Sequence, residues 1–301
     1  MHKKKHILAK IAFTSSVLCL SIRSENYHPV VIATIPKSGT WMLEKCVSLL
    51  TGRQNALWKF VNQGLLRSPS APVNSMSIFT PSMSLFNKCT NFNTNEFIIA
   101  HLVYRLSYER MLKEKNFKML FIIRDPRDQV VSRAYYAKKH PTVYPGLQHL
   151  SIEELISGYI GVGSKSTQNF DDLFTSHLTY PQRPVYPAIS HIVKFYRAFL
   201  PWAKSSISYT VKFEHLVGAN GGGSLEQQLR EIYTIGKHIG LAMTRKRTQE
   251  VADKLFGDSL TFREGKIGSW KTHFTQHQKD VFKKIAGKLL IELGYEKDLN
   301  W

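Results

Sequence analysis

Three short segments carry residues able to hold a polyanion. In Ile35-Pro36-Lys37-Ser38-Gly39-Thr40, the backbone and hydroxyl groups of Ser38, Gly39 and Thr40 can donate to a phosphate, and Lys37 adds a mobile positive charge beside them. The lysine precedes the glycine, so this is not the nucleotide loop in which two glycines are followed by Lys and Ser or Thr. An ordinary strand-to-helix turn is the competing reading. In Phe121 to Ser132, Arg124 follows an apolar run and Ser132 lies two helical turns later, so a guanidinium and a hydroxyl can share one phosphate. The alternatives there are an Arg124–Asp128 surface pair with Ser132 in solvent, or Asp125 as a magnesium carboxylate. In Arg263 to Thr275, Gly265 and Gly268 among basic residues permit a loop to close over an anion, with backbone amides and Arg263 as donors. Alone, that stretch reads as a solvated basic turn.

The elements around these segments follow from periodicity. The β-branched run 28–35 predicts a strand buried on both faces, and Met42, Leu43, Cys46, Val47 and Leu50 predict a helix stopped by Gly52. A strand, a glycine-containing turn and a helix together aim backbone N–H groups at an anion. Further strands are expected at 97–101, 118–123 and 208–214. Helices are expected near 105–114, 126–138, 152–160, 188–203, 224–239, 244–256 and 277–293. Asp125 is placed to cap the helix after the third strand, with Pro126 in its first turn. Residues 62–96, rich in Ser, Asn and Pro, read as a long irregular insertion, and Gly218 to Gly223 as a plain linker. Alternation of strands and helices argues for an α/β fold, a parallel sheet covered by helices on both faces.

Composition sets bounds on this reading. The chain has 301 residues, 43% hydrophobic, enough to bury a full core, which excludes wholesale disorder. Cys19, Cys46 and Cys89 show no paired spacing, so neither a disulfide scaffold nor a structural zinc site is expected. The net charge of +19 invites acidic partners. Residues 1–27 account for +4 of it. They join a lysine-rich start to a 12-residue apolar run, the outline of a signal peptide without a clean cleavage site. That run is shorter than the ~20 residues a bilayer crossing takes.

The three segments, in this order, resemble the sulfotransferase family that uses 3′-phosphoadenosine-5′-phosphosulfate. The first resembles the family's 5′-phosphosulfate loop, PKSGTTW. The second resembles its 3′-phosphate element, an Arg and a Ser eight residues apart, at Arg124 and Ser132. The third resembles its carboxy-terminal RKGxxGDWK stretch, and Phe213-Glu214-His215-Leu216 its FEDL strand end. The resemblance covers residue 28 to the carboxyl terminus. It implies a P-loop NTPase-like sheet, a 28–301 sulfotransferase domain, and a donor bound by Lys37, Ser38, Gly39, Thr40, Trp41, Arg124, Ser132, Arg263, Glu264 and Gly265 without metal. It also implies a catalytic histidine between the first two motifs, a place filled by His101, with Lys37 assisting transfer.

Several positions depart from the family pattern. Trp41 directly follows Thr40, so Met42 occupies the family's tryptophan slot; Ile99 stands where a lysine is common; Glu264 replaces lysine and Ser269 aspartate. A dimer signature survives in part as Lys271, Thr275, Gln276 and Asp280, which leaves a homodimer open. The expected acceptor is a small molecule, lipid or carbohydrate bearing a hydroxyl or amine, with 60–96 and 140–187 as specificity loops, and no nucleic acid is expected. Two rival functions stand beside this one: a magnesium-dependent nucleotide kinase or hydrolase, and a non-catalytic anion-binding relative. Donor supply argues for the cytoplasm. The amino-terminal segment argues for a secretory or membrane-associated protein, with membrane contact only through residues 1–27 if they remain uncleaved.

Overall fold

Five parallel strands lie in the order β2-β3-β1-β4-β5. The computed structural model describes residues 28–56, 87, 90, 96–140, 147–161, 192–257 and 263–301. The amino-terminal segment, Cys19, Cys89, most of the 62–96 insertion and most of the 140–187 stretch lie outside the described residues. The strands are β1 (Val30–Thr34), β2 (Gln54–Asn55), β3 (Glu96–Ala100), β4 (Lys118–Ile123) and β5 (Ser208–Lys212). β1 is central, pairing Ile32 with Ile99 on one side and with Leu120 on the other.

Alternate residues of each strand feed opposite faces, because strand side chains have a period of two. Val31, Ala33, Ile98, Ala100, Met119, Phe121 and Ile123 enter one core. Val30, Ile32, Phe97, Ile99, Leu120, Ile122 and Val211 enter the other. The first core is covered by α2 (Leu106–Glu114), α3 (Pro126–Lys139), α4 (Ile152–Ile160), α5 (Ile192–Phe199) and a later helix, α10 (Gln276–Glu292). The second is covered by α1 (Thr40–Thr51), α7 (Leu225–His238) and α8 (Arg245–Leu255). Two short helices complete the set, α6 (Phe213–Leu216) and α9 (Trp270–His273).

Three expectations change. The strand predicted to Glu214 ends at Lys212, and Phe213 begins α6 instead, with Phe213 and Leu216 buried beneath it. The helix predicted over 188–203 closes at Phe199 and tightens into a 3₁₀ turn over Leu200–Lys204, which accommodates Pro201. The 218–223 run is no plain linker. It forms a 3₁₀ turn at Ala219–Gly221, and Gly221 O accepts from Ile267 N at 2.9 Å. A Cβ on Gly221 would lie 2.5 Å from Gly265 O, so glycine is required there by close approach.

The topology locates the ligand crevice. β1 leads into α1 on one face of the sheet, and its neighbour β4 leads into α3 on the other. Ligands of open α/β sheets collect beyond the carboxyl ends of strands at such a switch point. Lys37 follows β1, His101 follows β3, Arg124 follows β4 and Phe213 follows β5, so the candidate residues share that edge.

Candidate active site

The loop after β1 is tightly determined. Ser38 N donates to Ile35 O (3.1 Å), and Gln129 Nε2 of α3 donates to Pro36 O (2.8 Å). Lys37 has φ +68° and Gly39 φ +102°. A left-handed lysine costs about 1–2 kcal/mol and is held only by surroundings that over-determine it. At Gly39 a side chain would be worse, since a Cβ would lie 2.6 Å from the Phe213 ring. Gly39→Ala is therefore expected to destabilise the fold by about 2–4 kcal/mol, combining backbone strain and overpacking. Urea unfolding would show this as a lower midpoint with unchanged slope.

Three cations converge on this loop. Lys37 Nζ lies 3.9 Å from the Tyr136 ring centre, the Arg124 guanidinium 4.3 Å from Phe213 and the Arg263 guanidinium 4.1 Å from Tyr135. Withdrawal from water, then the nearby Arg124, Arg263 and Lys139 charges, bring Lys37 down from the usual lysine range to about 7. An anion bound among these groups reverses the repulsion and returns the proton to Lys37. The site fits a phosphate-rich ligand on a second ground: the buried Arg124 Nε has no hydrogen-bond partner among the described residues. At pH 8, where Lys37 is mostly neutral in the free protein, binding a phosphate dianion is expected to take up close to one proton. Titration calorimetry in buffers of different ionisation heat reads that uptake. Affinity should fall as pH rises above about 7, because a bound state that prefers charged Lys37 must then recruit the proton.

His101 begins the segment after β3. Thr34 Oγ1 lies 2.6 Å from its Nδ1, and Thr40 Oγ1 donates to Thr34 Oγ1 at 3.1 Å. The last residue of β1 and the first of α1 thus connect the anion loop to the imidazole. Burial, opposed by the Thr34 contact and reinforced by the Lys37 charge, lowers His101 to about 4, so the ring is neutral at pH 7.

Arg124 is buried rather than paired at the surface. One of its terminal nitrogens donates to Lys266 O (2.8 Å) and lies 4.0 Å from the buried Asp128 carboxylate. Ser132 is half-buried in the second turn of α3, facing neither bulk solvent nor the core fully. Arg263 donates to its neighbour Glu264, so the acidic residue here sits on the cation expected to meet phosphate. Gly265 takes φ +63° at the start of the closing loop, against Gly221. Trp41 is partly buried in the first turn of α1, whereas Met42 borders the second core. Asp125 is fully engaged: it accepts from Arg127 N (2.9 Å) and from Arg127 Nε and its terminal nitrogen (3.0 and 2.7 Å). Arg127 in turn donates to Glu296 and packs against both the Trp270 and Trp301 rings, 4.0 and 4.4 Å from their centres. A carboxylate so engaged is a brace for the carboxyl terminus, which argues against its use as a magnesium ligand.

Thr34, Gln129, Tyr135 and Tyr136 are site residues that sequence reasoning missed, and Asp128 was read only as a surface partner of Arg124. Tyr135 and Tyr136 were in reach of it, since they lie three and four residues beyond Ser132 and so share its helix face.

Residues 28–205 match the family model described as the Sulfotransferase domain, more than half of the chain, and the protein belongs to that family. Among curated relatives, Sulfotransferase 2A6 of Mus musculus is 24% identical over 263 residues, spanning 85% of this chain and 82% of the mouse protein. Sulfotransferase 2A2 of Rattus norvegicus is 21% identical over 266 residues, with the same coverage of 85% and 82%. Among solved structures, mouse sulfotransferase SULT7A1 complexed with PAP has a TM-score of 0.55 at 14% identity, covering 88% of this chain and 87% of that one. Retinol dehydratase complexed with retinol and PAP has a TM-score of 0.51 at 15% identity, covering 88% and 83%. These two likenesses establish the shared fold.

Proposed function

We propose that this protein transfers a sulfuryl group from 3′-phosphoadenosine-5′-phosphosulfate to a hydroxyl or amine of a small-molecule acceptor. The carrying observation is the convergence of Lys37, Arg124 and Arg263 at one sheet edge, with the buried Arg124 Nε left without a hydrogen-bond partner among the described residues. Family membership supplies the reaction class, and the PAP in the SULT7A1 and retinol dehydratase complexes supports the donor.

In this reading Lys37, Ser38, Gly39 and Thr40 face the 5′-phosphosulfate, with Trp41 beside the adenine. Arg124, Ser132, Arg263, Glu264 and Gly265 surround the 3′-phosphate. The acceptor oxygen or nitrogen forms a bond to sulfur as the sulfur–oxygen bond to the 5′-phosphate breaks, and the electron pair leaves on adenosine 3′,5′-bisphosphate. His101 takes the acceptor proton. In the tautomer whose Nδ1–H donates to Thr34 Oγ1, the ring accepts it at Nε2. Lys37 balances charge building on the bridging oxygen. No step calls for a metal.

The domain runs from 28 to the carboxyl terminus in this reading, because the 263–270 loop and Trp301 both pack against α3. Retinol in the retinol dehydratase complex supports a small apolar alcohol as one acceptor class. Among the described residues no helix is long and apolar enough to cross a membrane. Three residues of the partial dimer signature are engaged within the chain: Gln276 donates to Asp280 (2.9 Å), and Thr275 caps α10. Incubation with donor carrying labelled sulfate and a panel of phenols, sterols, retinoids and sugars tests the reaction. Label should appear in at least one acceptor; release only as free sulfate would contradict transfer.

A further inference from the structure

The loop over 263–270 is held closed by one buried carboxylate. Asp128 lies in the first turn of α3, one helical turn beyond Arg124, and is fully buried. Its Oδ2 accepts from Gly268 N (2.7 Å), and its Oδ1 accepts from Trp270 N (2.9 Å) and Ser269 Oγ (3.1 Å). Two of the loop's backbone amides, which sequence reasoning offered to an anionic ligand, are therefore taken by the protein's own anion. Arg124 reaches the same loop through Lys266 O, with Asp128 4.0 Å away.

An unpaired carboxylate at such depth is costly, and placing one beside a phosphate site adds repulsion. The position makes sense if its three donors and the α3 amino-terminal field offset that cost, and if the closed loop is what it secures. Gly221 O holds the loop from the opposite side through Ile267 N, so the segment bearing Arg263 and Gly265 is clamped between two elements.

We propose that Asp128 is a positioning residue for the co-substrate: it fixes the 263–270 loop and the Arg124 guanidinium in the arrangement that receives the 3′-phosphate, without itself touching the ligand. This rests on the co-substrate reading above. It differs from a general folding role because it concerns only the phosphate that distinguishes adenosine 3′,5′-bisphosphate from adenosine 5′-monophosphate.

Titration calorimetry with both nucleotides tests it on the wild type, Asp128→Asn and Ser269→Ala. The wild type should bind the bisphosphate more tightly than the monophosphate. In Asp128→Asn the bisphosphate affinity should fall by about tenfold or more while the monophosphate affinity stays within about twofold. Ser269→Ala, which removes one partly exposed donor and spares the fold, should show the same selective loss at about two- to threefold. Amide exchange at Gly268 and Trp270 should accelerate in Asp128→Asn. Equal loss for both nucleotides, or no loss for the bisphosphate in either variant, overturns the positioning role. A wild type without preference for the bisphosphate overturns the co-substrate reading, and the proposal with it.

Discussion

Replacing His101 by alanine is expected to lower kcat by about 10²–10⁴-fold while leaving the dissociation constant of adenosine 3′,5′-bisphosphate within about twofold. The split follows from the geometry. His101 contacts Thr34 and so adjoins the anion loop, whereas the cations proposed to hold the nucleotide are Lys37, Arg124 and Arg263. The imidazole is neutral at pH 7, as a base must be, although the burial and the Lys37 charge that keep it so also weaken it as a base. Steady-state kinetics with a responsive acceptor, together with direct nucleotide titration, would read both quantities. Transfer that survives the substitution would remove His101 as the base. A matching loss of nucleotide affinity would make its role structural.

Arg124→Ala should weaken bisphosphate binding by about 2–3 kcal/mol, roughly 30- to 150-fold, because a charge-assisted pair to phosphate in a buried setting is lost. Arg124→Lys should recover only part of it, since a lysine restores the charge but not the planar fork. The orphaned Arg124 Nε is the reason to expect so large an effect: its donor gains a partner only when an acceptor arrives. The change also removes the donor to Lys266 O and the contact with Phe213, so thermal unfolding of the unliganded variant must accompany the titration. An affinity within threefold of wild type for a folded Arg124→Ala would place the 3′-phosphate elsewhere.

Much of the frame was legible in the sequence because it depends on local pattern. A β-branched run identified β1 and a strongly apolar run β4, Gly52 marked the end of α1, and the Asp125-Pro126 pair marked the start of α3. β2, two residues long at the sheet edge, has no periodicity to read. α6 arises where Phe213 and Leu216 turn into the second core, a tertiary demand that overrides the extended reading of 208–214. At the site, the donors in Ile35 to Thr40 announced themselves by type and spacing. Their internal commitments did not: Ser38 N is used by Ile35 O, and the Thr40 hydroxyl by Thr34. Asp128 was read only as a surface partner of Arg124. In the sequence it is an i,i+4 neighbour of Arg124, and its three donors lie about 140 positions away, where only the fold can bring them. The Gly218–Gly223 run was misread for the same reason, since its partner, Ile267, is also remote in sequence.

The most direct test of a site built for a 3′,5′-bisphosphorylated adenosine is thermal unfolding of the protein with saturating adenosine 3′,5′-bisphosphate, set beside ATP with magnesium. A ligand that binds only the folded state at a hundred times its dissociation constant adds about 2.7 kcal/mol. The bisphosphate should therefore raise the midpoint by several degrees, and ATP with magnesium by much less. No rise with the bisphosphate, or a larger one with ATP and magnesium, would contradict the account.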